Sequence, residues 1–276
     1  MANVSTGETS PPTTAGVSTY EAHGALKSVN IKRREAVIAH DAIAGYMPAM
    51  TMSFEVRNAR ELDGLQAGDA LAFRLCVTAD RAWIEQLHKT GAAPADFSPP
   101  AASPPIALAV GDLVPDIELL EEGGRKVHLS DFRGKTLALT FIYTGCPLPT
   151  YCPLMNRNFQ TAQTLLARLG EGDRCRFVSL SLDPDHDTPE ILAGCARSFG
   201  AETPAWTFAN ASREALHLLG DGLGLEFRAA AGRIDHNLRT IVVDPAGRLR
   251  RVLRGNQWTP QELVAEVRSA TRRGPP

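Results

Sequence analysis

What this 276-residue chain lacks narrows its function first. It has no stretch of the 18 or so consecutive apolar residues that a membrane-spanning helix requires. Its longest apolar stretch, residues 137–143, has the length of a strand. Charge of one sign is also missing: 29 basic residues against 31 acidic ones give a net charge of −2. That balance carries no nucleic-acid footprint, so no nucleic-acid partner is expected. Residues 1–16 are rich in Ser, Thr and Pro and have no apolar signal core, so residues 1–20 read as a disordered tether. Such a tether suits a chain whose native form is anchored to a membrane and whose targeting segment has been removed. Cysteine is scarce and odd in number, five in all, too few for a disulfide scaffold.

Methionine is equally scarce at five, yet Met47, Met50 and Met52 fall within six residues, shortly after His40. Thioethers are soft ligands, and clustered beside an imidazole they suit Cu(I) or Ag(I). Methionine also fills core gaps, but this chain fills its other apolar positions with Leu, Val, Ala and Ile. The segment Met50-Thr-Met-Ser-Phe54 reads as a strand, which puts residues 50 and 52 on one face, about 7 Å apart. Pro48 breaks the chain just before it, freeing Met47 to fold over that face.

Residues 24–90 read as short alternating strands with turn signals. Residues 91–107 form a Pro/Ala-rich linker, expected to be extended. From residue 108 strands alternate with helices, the signature of an α/β layer. Residues 137–143 read as a buried central strand. After Cys152 the residues Met155, Phe159, Ala162, Leu166 and Leu169 mark one face of a helix, with Pro153 in its first turn. Residues 187–190 and 259–262 read as helix caps.

Only Cys146 and Cys152 are close in sequence, and they lie between that strand and that helix. A cysteine at a helix N-terminus is favoured as thiolate, so Cys152 is the expected low-pKa thiol. A thiolate there serves soft-metal ligation or thiol–disulfide exchange, and a structural disulfide is the bland alternative. Cys76, Cys175 and Cys195 read as inert buried thiols. The series Asp183-x-Asp185-x-Asp187 imitates the start of a calcium loop but lacks the Gly and Glu that such a loop needs. His23, His88, His128, His186 and His217 have no partners at ligand spacing.

Two family resemblances follow from these residues. The order His40, then Pro48-x-Met50-x-Met52, resembles the CusF-type copper- and silver-binding domain, a small five-stranded barrel of the OB-like kind. The resemblance implies His40, Met50 and Met52 as ligands. Met47 stands where that family has a capping Trp and becomes an extra ligand or lid. The stretches Phe141-Ile-Tyr-Thr-Gly-Cys146-Pro, Cys152-Pro-Leu-Met, residues 179–189, Trp206-Thr-Phe and Asp235-His236 resemble the Sco/SenC family. That family has a thioredoxin-like fold and binds Cu(I) or Cu(II) through two Cys and a His, here Cys146, Cys152 and His236. It departs in one respect: five residues separate the cysteines where the family has three, which would loosen the chelate or alter disulfide closure. Asp235 is a candidate to orient His236.

The expected organisation is a tether (1–20), a CusF-like β-barrel (21–90), a linker (91–107) and a thioredoxin-like domain (108–271). The expected function is a copper metallochaperone of the periplasm or cell envelope rather than an enzyme. By resemblance it serves assembly of the dinuclear copper centre of cytochrome c oxidase, with that subunit or another cuproprotein as partner and a thiol reductant beside it. The alternatives are a thiol–disulfide oxidoreductase or peroxidase using Cys146 and Cys152, and copper storage without a client.

Overall fold

The computed structural model describes residues 16–31, 34–47, 49–78, 81–92, 107–230 and 233–272. Most of the expected tether and linker lies outside these residues. Five strands form the amino-terminal unit: β1 (Ser18–Asn30), β2 (Glu35–His40), β3 (Met50–Glu55), β4 (Asp69–Val77) and β5 (Ala82–Ala92). They make one antiparallel sheet in the order β3-β2-β1-β4-β5. Alternation sends Leu71, Phe73 and Leu75 of β4 inward, where Phe73 meets Phe54 at 5.4 Å between ring centres.

The ladder does not close into the expected barrel. Its two edges meet through one isolated bridge, Val56–Ile84, because the chain leaves β3 after Glu55 and, capped by Asn58, enters a single 3₁₀ turn, Ala59–Leu62. Two expected boundaries also move. Ser18 pairs with Val77, so β1 begins inside the segment taken as tether, and Asp69 pairs with Ala92, so β5 runs two residues into the segment taken as linker. In both cases backbone pairing with β4 overrides local composition.

The carboxy-terminal unit is a seven-stranded sheet between helices. Its elements are β6 (Glu118–Glu121), β7 (Lys126–His128), β8 (Thr136–Ile142), α1 (Cys152–Arg168), β9 (Cys175–Ser181), α2 (Pro189–Ser198) and β10 (Trp206–Asn210). There follow α3 (Arg213–Gly222), the hairpin β11 (Phe227–Ala230) and β12 (Arg233–His236), then β13 (Arg239–Val243), β14 (Leu249–Arg254) and α4 (Pro260–Arg272). The sheet order is β14-β13-β8-β9-β10-β6-β7, with β8, β9 and β10 parallel. Every residue of β8 is buried, as a central parallel strand requires. Helices α1 and α4 pack together on the sheet centre. Phe159 of α1 meets Phe177 at 5.0 Å and Trp206 at 6.0 Å, which pins α1 to β9 and β10.

The second expected cap forms as read, whereas the first shifts by one residue, from Asp187 to Thr188, because the Asp187 carboxylate is engaged by Thr144 and Ser181. Thr188 accepts from the Ile191 amide, and Thr259 and Glu262 bond each other's backbone amides reciprocally. No helix among the described residues is long and apolar enough to cross a membrane.

Candidate metal centre

The Cys146 segment leaves the end of β8 and is held from below by a buried carboxylate. Asp187 accepts from the backbone amide of Thr144 at 3.0 Å and from the hydroxyls of Thr144 and Ser181. Its own carbonyl is held by Asn210 at 2.8 Å. The acidic series that imitates a calcium loop is otherwise committed: Asp185 pairs with Arg213, and Asp183 receives the His186 ring at 2.9 Å.

The five residues between the cysteines are not a slack loop. Leu148 and Tyr151 are buried, the Tyr151 amide bonds the Leu148 carbonyl at 3.0 Å, and Arg157 and Asn256 hold the carbonyls of Pro149 and Thr150 at 2.6 and 3.0 Å. The inserted length is spent on packing, and Cys152 then opens α1.

His236 ends β12 and is positioned by its neighbours. Its Nδ1 donates to the Asn237 carbonyl at 3.0 Å, which leaves Nε2 with its lone pair toward Cys152 Sγ, 3.5 Å away. Asn237 carries out the orienting that was expected of Asp235, which instead lines the pocket. The hairpin is strapped to the end of α3 by Asn237 and by the buried Arg239, whose guanidinium donates to the carbonyls of Leu223, Gly224 and Leu238. Burial pushes the His236 pKa down to about 4, so the imidazole is neutral and able to ligate at neutral pH.

The thiol order is the reverse of that expected from the helix position. Cys146 is held down at about 7, first by a hydrogen bond from Cys152 and then by backbone amides and Tyr143, against the opposing effect of burial. Cys152 is raised, mainly by burial and further by Cys146 beside it. A helix dipole acts on a solvated thiol within reach of its first turn; here Cys152 is only 2% exposed, and burial outweighs the dipole. All five cysteines are free thiols; Cys76 and Cys175 are buried as expected and Cys195 is half-buried, and all three are raised above the ordinary thiol value, chiefly by burial.

Around these groups runs an aromatic wall that sequence reasoning missed. Tyr143 stands edge-on to His236 at 5.9 Å, and Tyr143, Leu148 and Tyr151 line one pocket with Cys146 and His236. The opposite wall comes from the amino-terminal unit, as Tyr46 and Met47. Among the described residues, no three His, Cys, Asp or Glu side chains are grouped as a preformed metal site. The geometry brings Cys152 to His236 and Cys146 to Cys152, a soft S and N donor set of the kind that suits copper.

The second candidate set lies on the amino-terminal sheet. His40 ends β2 and pairs in register with Met50; Met52, two residues on, lies opposite Ile38. The Met50 side chain lies outside the described residues. His40 is buried, its Nδ1 donates to the Asp41 carbonyl at 2.7 Å, and its Nε2 has no hydrogen-bond partner. An orphaned buried nitrogen calls for an explanation, and a ligand on Nε2 supplies one. Gly24 lets β1 approach here: a Cβ on it would lie 2.5 Å from the Ala39 carbonyl oxygen and 2.7 Å from His40 Cα. Met47, buried at 3% exposure, lines the cysteine pocket.

Comparison with known proteins agrees with both units. The family model described as copper binding periplasmic protein CusF matches residues 19–89. A curated relative, the SCO1 protein homolog of Bacillus subtilis (strain 168), is 24% identical over 155 residues, which covers 54% of this chain and 78% of that protein. Among solved structures, BsSco, a member of the Sco family of cytochrome c oxidase assembly proteins studied for a disulfide switch, has a TM-score of 0.52 at 22% identity. It aligns with 60% of this chain and 98% of its own. Copper-bound yeast Sco1 has a TM-score of 0.51 at 17% identity, over 60% of this chain and 91% of that one. These structures share the thioredoxin-like fold of the carboxy-terminal unit. The SCO1/SenC family model matches residues 108–272, more than half of the sequence, and the chain therefore belongs to the SCO1/SenC family.

Proposed function

We propose that this chain is a copper metallochaperone of the periplasm or cell envelope. The reading rests on one observation above the others. Cys152 lies 3.5 Å from a His236 nitrogen whose ring is anchored through its other nitrogen and kept neutral by burial. Cys146, Cys152 and His236 form the high-affinity site, and His40, Met50 and Met52 capture Cu(I) first. Thioethers need no reducing conditions, whereas thiolates bind Cu(I) more tightly, so the gradient runs from the first set to the second. A CusF-like unit, a linker after Ala92 and a thioredoxin-like unit keep donor and acceptor at an effective concentration of the order of millimolar. The client is a cuproprotein, with the dinuclear copper centre of cytochrome c oxidase the favoured one, since Sco relatives assemble that enzyme.

The test is the Cu(I) stoichiometry of the reduced chain, measured anaerobically against a chromophoric chelator. Two tight equivalents are expected; Cys146→Ser with His236→Ala removes one, and His40→Ala with Met52→Leu weakens the other. Two equivalents that persist in Cys146→Ser with His236→Ala, or a wild-type chain that binds one equivalent and keeps it in that variant, overturns the assignment.

A second reading draws on the hydrogen bond between the two thiols and the lowered Cys146 value. A poised thiolate beside a partner thiol suits thiol–disulfide exchange. Turnover of a disulfide substrate that is lost in Cys146→Ser, combined with weak copper binding, would put this reading first.

A further inference from the structure

Met47 stands at the place of the capping Trp of the CusF-type domain, and in this fold it lines the cysteine pocket. It closes a tight turn after β2: Ile43 and Met47 exchange both backbone hydrogen bonds, at 2.7 and 3.0 Å, with Gly45 at positive φ between them. Tyr46 beside it stacks on Tyr20 at 4.7 Å, which fixes the turn to β1. That turn places Met47 on the lining of the pocket that holds Cys146 and His236.

The pocket has room in its donor set for such a group. No three His, Cys, Asp or Glu side chains among the described residues make a closed site, and apart from Asp235 the wall is aromatic, aliphatic or sulfur-bearing. Met47 adds a soft donor where a hard one is lacking. Three peptide bonds then join Met47 to Met50, so their Cα atoms can be no more than about 11 Å apart.

We infer that Met47 is a ligand of copper in the Cys146–Cys152–His236 pocket, a thioether supplied by the amino-terminal unit that makes the two copper sites contiguous. This inference rests on the copper reading above. Copper remains Cu(I) throughout: His40 Nε2 and the Met50 and Met52 thioethers release it, Met47 holds it, and the thiolates of Cys146 and Cys152 with His236 Nε2 form the bonds that replace those broken. Each thiol proton passes to solvent. No electron is transferred.

The test uses the full reduced chain carrying Met50→Leu and Met52→Leu, labelled with selenomethionine and given one equivalent of Cu(I). X-ray absorption at the selenium and copper edges is expected to show a copper–selenium path. Adding Met47→Leu, a volume-conserving change, should abolish that path and lower Cu(I) affinity about tenfold or more, in the range of other changes around a metal. An unchanged thermal midpoint would show that the fold is kept. Copper bound through sulfur and lost in Cys146→Ser, but with no selenium path and no effect of Met47→Leu, overturns the Met47 ligand while leaving the copper reading intact. Copper not retained, or retained unaltered in Cys146→Ser, overturns both.

Discussion

His40 and His236 lie in different units and are held alike. Each donates from Nδ1 to the carbonyl of the following residue and keeps Nε2 for something else. Burial lowers both pKa values, His236 to about 4. The sign is that of a base kept neutral by the fold. Between an unfolded value near 6.5 and a folded value near 4, the unfolded chain takes a proton that the folded chain refuses. Stability contributed by His236 is therefore complete above about pH 6.5 and lost as pH falls toward 4. Urea unfolding of the metal-free chain at pH 7 and at pH 4 should show wild type losing roughly 1–3 kcal/mol more than His236→Gln.

Cysteine reactivity gives a second prediction at this scale. Iodoacetamide should label Cys146 before Cys152, with a rate that rises through a midpoint near pH 7. Labelling of Cys152 first, read by peptide mass, would reverse the assignment of the thiolate. Gly24 belongs here too. Its hydrogen is all that fits against the Ala39 carbonyl, so Gly24→Ala should cost about 1–3 kcal/mol and weaken the amino-terminal copper equivalent.

At the scale of elements, the pocket is assembled from two supports outside it. Asp187, at the end of the loop after β9, holds the turn that presents Cys146. Replacing it with Ala strips the Thr144 amide and two hydroxyls of their acceptor, at about 1–3 kcal/mol. Cys146 should then be alkylated faster as its turn loosens, which separates a positioning role from a loss of stability alone. The β11–β12 hairpin depends in the same way on Arg239 and Asn237, which tie His236 to the end of α3. The loop between the cysteines, longer than in the resembled family, is compensated by burial of Leu148 and Tyr151.

At the scale of the whole molecule, the two units meet across the cysteine pocket, with Tyr46 and Met47 in the same apolar cluster as Tyr143 and Tyr151. The amino-terminal unit is therefore a wall of the carboxy-terminal site as well as a tethered donor. Tyr46→Ala should open that wall and raise the alkylation rate of Cys146 several-fold, while a surface change such as Tyr20→Phe, which keeps the stacking ring, should not. Copper loaded on the amino-terminal set should reach the cysteines faster in the intact chain than in a mixture of separated units.

The sequence by itself determined the chemistry on offer and most of the local structure. Strand alternation and helical spacing are short-range, so β3, β4, β8 and α1 were legible from a few residues each. The ordered motifs around Cys146, Cys152 and His236, and around His40, Met50 and Met52, identified both candidate donor sets in the same way. Tertiary structure decided what depends on burial and on distant partners. It raised the Cys152 thiol through burial, because a helix dipole can be read from sequence and desolvation cannot. It gave the orienting of His236 to Asn237 rather than Asp235, and left the barrel open where the chain turns away after Glu55. It also carried Met47 to the cysteine pocket, a hundred residues away in sequence, because the turn between Ile43 and Met47 points it at a surface that only the folded partner unit creates.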